Sequence, residues 1–121
     1  MDELVARLVT DTGVDQAAAA KAAGIILDFL VKEAPADKVE PLLAKLPGAE
    51  AVMQAAREDA GSAGGDMGGV MGAGMRMMGA GLSMGQVQDI TRQFIAFARE
   101  KVGEDEVGEI VAAIPGLAQF V

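Results

Sequence analysis

Five methionines, Met67, Met71, Met75, Met77 and Met78, crowd into one short segment, and they are the first residues in this chain that could do chemistry. The spacing 67, 71, 75, 78 places four thioethers on one face of a helix. A thioether is a soft donor that suits Cu(I). It is also a flexible apolar group that fills irregular core gaps or forms an adaptable surface for a partner helix or an apolar ligand. Core filling is the ordinary reading of an apolar stripe at helical spacing. Copper sites usually mix Met with His or Cys, and the chain has neither, so no metal and no cofactor is assigned.

The same absence narrows catalysis. Without His and Cys, the commonest general base and the usual zinc ligands are missing, and triads built on them are excluded. Ser62, Ser83, three threonines, the carboxylates and ten cations remain. No catalytic residue is assigned and the chain is read as a non-enzyme. Glu104, Asp105, Glu106 and Glu109 cluster where a helix starts, and acidic side chains there favour the helix dipole. Gly72-Ala73-Gly74 with Gly79 lacks the Lys-Ser/Thr and the preceding strand of a phosphate loop.

The elements that must hold these residues are helical and repeated. A shift of 68 aligns Gly13–Met53 with Gly81–Val121 without a gap, pairing Gly13/Gly81, Phe29/Phe97, Asp37/Asp105, Val39/Val107, Pro47/Pro115 and Gly48/Gly116. Apolar positions follow: Val14/Leu82, Ile26/Phe94, Leu42/Ile110 and Leu46/Ile114. In copy one, Asp2 can cap a short helix whose apolar face is Leu4, Val5, Leu8 and Val9. Asp15 caps a long helix that Ala34-Pro35-Ala36 stops. Asp37 and Glu40 have capping-box spacing before Leu42, Leu43 and Leu46, and 49–59 can form one more helix. In copy two, Ser83 and Gln86 form the capping box of the long helix, Gly103 breaks it, and Asp105 starts the last helix. No sustained alternation of apolar and polar residues marks a strand.

The expected fold is therefore all-α: a compact bundle of two similar helical repeats with approximate internal two-fold symmetry, one domain over 1–121. Repeat one spans about 1–53, a Gly-rich joint about 61–66, and repeat two about 67–121. In that register the Met-rich segment, about 67–78, is the first helix of repeat two, with Arg76 opposite Leu8. Four glycines cost such a helix roughly 3–4 kcal/mol relative to Ala. Burying four methionines at roughly 1.5–3 kcal/mol each is larger, so order is expected. Gly48 and Gly116, just past helices, are expected to need left-handed backbone.

Composition sets the partners. Of 121 residues, 51% are hydrophobic and 23% charged, which suits a globular core, and the formal charge of −8 opposes contact with phosphates or anionic lipid. Nucleic acid is excluded as a partner. The apolar run 17–31 is interrupted by Lys21 and Asp28 and falls short of a membrane span. The acidic start Met-Asp-Glu-Leu lacks the positive charge of a secretory signal, which makes the cytoplasm the expected location.

The motifs Thr12-Gly13-Val14-Asp15-Gln16-Ala17, Leu46-Pro47-Gly48, Gly81-Leu82-Ser83 and Ile114-Pro115-Gly116, around a Gly-rich centre, resemble small helical bacterial proteins of the VcgC/VcgE-type domains of unknown function. That resemblance implies an all-helical bacterial protein and brings no activity or binding residue. The functional expectation is a non-enzymatic interaction or structural module, self-associating or bound to a protein partner. The partner or ligand surface would be Met67, Met71, Met75, Met78, Phe94 and Phe97. The alternatives are a carrier of a small apolar ligand in a pocket between the two copies lined by Met71, Met75, Met78, Phe94 and Phe97, or Cu(I) binding through the stripe.

Overall fold

Local signals start and stop the helices much where the residues say. The computed structural model describes residues 2–46, 48–60, 69–79, 81–114 and 117. Among them are seven helices and no strand: α1 (Asp2–Thr12), α2 (Gln16–Glu33), α3 (Ala36–Ala44), α4 (Ala49–Ala60), α5 (Gly69–Gly79), α6 (Met84–Val102) and α7 (Glu104–Ala113). Asp15 caps α2, its carboxylate accepting from the Ala18 amide at 3.0 Å. Ser83 and Gln86 cap α6 reciprocally, at 3.2 and 3.0 Å. Gly103, at φ +96°, ends α6 and opens directly into α7. Two expected caps are not used. Helix α3 begins at Ala36 behind Pro35, so Asp37 lies in its first turn and makes no cap bond, because the fixed φ of Pro already presets the helix start. Asp2 lies inside α1.

The repeat persists in the folded chain. A shift of 68 lays α1, α2 and α3 on α5, α6 and α7 to within a residue at each end. Burial repeats with it: Val14/Leu82, Ile26/Phe94, Phe29/Phe97, Leu30/Ala98, Val39/Val107, Leu42/Ile110, Leu46/Ile114 and Ala49/Leu117 are buried in both copies. The two turns before the long helices use glycine for one reason. Gly13 at φ +76° and Gly81 at φ +100° occupy left-handed backbone, which a side chain disfavours. Gly48 meets the same expectation at φ +87°, and Gly116 lies outside the described residues.

Packing crosses between copies. Helix α1 lies against α6 as well as α2, and α5 lies against α2 as well as α6. Helix α4 packs along α2. Every residue of α2 from Ala22 to Leu30 is therefore buried, as expected of a helix covered on all sides, whereas α6 keeps an exposed face through Arg92, Ala96 and Arg99. Among the described residues no helix is long and apolar enough to cross a membrane.

Candidate functional site

Helix α5 forms, as the Met-rich segment was expected to, but it turns the opposite face inward. Met75 and Met78 are 48% and 45% exposed, while Met77 is 1% exposed and Gly72 is buried. Core filling by the 67, 71, 75, 78 stripe is thus wrong for Met75 and Met78. Met67 and the side chain of Met71 lie outside what is described. The reason is on the neighbouring helix. Arg76 Nη1 reaches the Asp28 carboxylate of α2 at 3.1 Å, and Asp28 is fully buried while the Arg76 side chain is 10% exposed. Lys32, one turn on from Asp28, adds a second cation at 3.2 Å from the same oxygen. A buried carboxylate without such partners would be strongly destabilising, so the pair fixes which side of α5 meets α2. The Arg76 Nε is buried without a hydrogen-bond partner among the described residues.

The register of the repeat carried this signal. It sets Gly72, Arg76 and Met77 opposite Leu4, Leu8 and Val9, the inward face of α1, and sets Met71, Met75 and Met78 opposite Glu3, Arg7 and Thr10. Glu3 and Thr10 are exposed. Where copy one carries a charged and polar outer face, copy two carries methionine.

The α5–α6 turn leads to a third exposed methionine. Gly81 N–H bonds to Met78 C=O at 3.0 Å, and Leu82 N–H to Met77 C=O at 3.3 Å. That is a Schellman ending, with buried Leu82 and Met77 as its apolar contact. It brings Met84, at the first turn of α6 and 51% exposed, into the next element along the chain. Met75, Met78 and Met84 are the exposed large hydrophobic residues among those described. Residues 67–88 contain no Asp or Glu, and their single charge is Arg76, which is spent inward on Asp28. The three exposed methionines thus lie in a stretch of sequence without acidic residues, on a protein of net charge −8. Met84 was missed in the sequence because it stands outside the stripe, at a position that reads as a helix start.

Phe94 and Phe97 do not belong to that surface. They are 1% and 3% exposed and sit in the core. The Phe97 ring lies under the Arg7 guanidinium and the Lys101 ammonium, each 5.2 Å from its centroid, a cation–π arrangement. Arg7 also pairs with Glu100, and Lys101 with Glu3 at 3.3 Å. Three contacts between α1 and α6 thus converge over one ring. The Glu100 carboxyl is held below its ordinary range chiefly by the hydrogen bond from Arg7. Between α3 and α7, a hydrogen bond with Glu109 at 2.6 Å raises the pKa of Lys38.

Other candidates resolve into structure. Glu104 and Asp105 are exposed in the first turn of α7. Among the described residues no group of three or more acidic side chains is placed to hold a metal ion. A cleft of about 600 Å³ opens where the two glycine turns meet, lined by Gly13, Asp15, Lys21, Gly81, Leu82 and Gln86 among others. Neither the methionines nor Phe94 and Phe97 line it. The helix-start amides of Ala18 and Gln86 are already taken by Asp15 and Ser83. Comparison of the chain with protein-family models, with curated proteins and with solved structures found no match.

Proposed function

We propose that this chain is a non-enzymatic helical module that associates with a second copy of itself through the methionine corner, Met75, Met78 and Met84. The observation that carries this reading is the placement of those three side chains, about half exposed, in a stretch free of acidic residues. Methionine packs adaptably against another apolar surface. A second copy is the partner favoured by charge. Two chains of net charge −8 repel wherever carboxylates face one another, and a two-fold contact made of this corner sets Met against Met instead. Approximate two-fold symmetry between the repeats belongs to the same proposal. It is supported by α1 lying on α6 and α5 on α2.

Sedimentation across the micromolar range tests it. The expected result is a concentration-dependent dimer that becomes monomeric in the triple variant Met75→Gln, Met78→Gln, Met84→Gln with unchanged helical content. A strict monomer in the unmodified chain sinks the proposal.

A further inference from the structure

We infer that Met75, Met78 and Met84 form a peroxide-sensitive modification site whose oxidation turns the apolar corner polar. The chain has no Cys, His, Trp or Tyr, so hydrogen peroxide finds its reactive side chains among the methionines. Access then divides them. Met53 and Met77 are buried, at 5% and 1% exposure, whereas the three corner methionines stand in solvent. The step is a two-electron oxidation. A sulfur lone pair attacks one peroxide oxygen, a sulfur–oxygen bond forms, the oxygen–oxygen bond breaks, and the other oxygen leaves as water. The product is a sulfoxide, which methionine sulfoxide reductases return to the thioether.

The fold confines the consequence to the surface. Helix α5 is held to the bundle from its other side, by Met77, Gly72 and the Arg76–Asp28 pair, and none of these contacts uses an exposed thioether. Oxidation therefore leaves the core in place. It adds strong acceptor oxygens to side chains that were apolar, and burying them against an apolar partner is unfavourable. The loss of association rests on the self-association proposed above, while the site of modification does not.

The test uses the intact chain treated with hydrogen peroxide, read by peptide mass spectrometry, circular dichroism and sedimentation. Met75, Met78 and Met84 are expected to gain oxygen about tenfold faster than Met53 and Met77, with helicity unchanged and the dimer lost. The variant Met75→Leu, Met78→Leu, Met84→Leu keeps the apolar surface without sulfur and is expected to stay associated after the same treatment. Equal oxidation rates at buried and corner methionines overturn the modification site. Oxidised corners on an intact dimer, or a Leu variant that dissociates in peroxide, overturn the switch. A reduced chain that is already monomeric refutes the self-association and the switch with it, and the peptide rates then decide the modification site alone.

Discussion

Asp28 and Arg76 meet at 3.1 Å between α2 and α5, and each stands where the other copy of the repeat has an apolar residue. Arg76 takes the place of buried Leu8, and Asp28 that of Ala96. Two departures from the repeat, opposite in charge, thus cancel one another. Removing Asp28 leaves the buried Arg76 guanidinium without this counter-ion, at about 3–5 kcal/mol, whereas removing Arg76 leaves Asp28 still paired with Lys32 and costs less. The reversion Asp28→Ala with Arg76→Leu, which copies the other repeat, is expected to recover more than half of the first loss. Urea unfolding of the two single variants and the double variant measures the coupling. Additive losses would mean that the pair is not what docks α5.

The glycines divide by backbone conformation. A Cβ at Gly13 or Gly81 would meet nothing within 4 Å, so Gly81→Ala costs conformation alone, about 1 kcal/mol. Gly108, inside α7 with equally open surroundings, gains about 0.5–1 kcal/mol as Ala from helix propensity. Thermal melts of the two variants should shift in opposite directions, and a shift of the same sign in both would contradict these conformations.

Phe94 and Met78 separate core from surface. Phe94→Ala is expected to destabilise by about 3–5 kcal/mol, whereas Met78→Ala changes stability by less than about 0.5 kcal/mol. Denaturant midpoints compare them directly. A large loss at Met78 would place that side chain inside.

The α1–α6 bridge sets an acid limit. The folded-state pKa of Glu100 lies below its ordinary 4.5 because Arg7 donates to it. A depressed carboxyl contributes stability above its unfolded value and loses that contribution as pH falls through the folded value. Arg7→Gln should therefore flatten the decline of melting temperature with acidification below about pH 5. The difference from the unmodified chain is expected to shrink in high salt, since Glu100 is exposed, Arg7 is partly so, and the pair is screened. Parallel acid limbs in the two proteins would remove Arg7 as the cause.

Helix boundaries and the repeat are written locally and could be read without a structure. Asp15, the Ser83–Gln86 box, Gly81, Gly103 and Ala34-Pro35 act on their own turns, and a period of 3.6 shows which positions are apolar. Where two local signals competed, as at Pro35 and Asp37, the stiffer one set the start of α3. The inward face of α5 was decided elsewhere. This helix is apolar on both sides, so periodicity alone finds Met71, Met75 and Met78 as readily as Met77. The selection comes from a carboxylate 48 residues earlier in the chain, on a helix that α4 covers and dehydrates. Such a charge is buried only where a cation can reach it, and Arg76 reaches it only when Met75 and Met78 face the solvent.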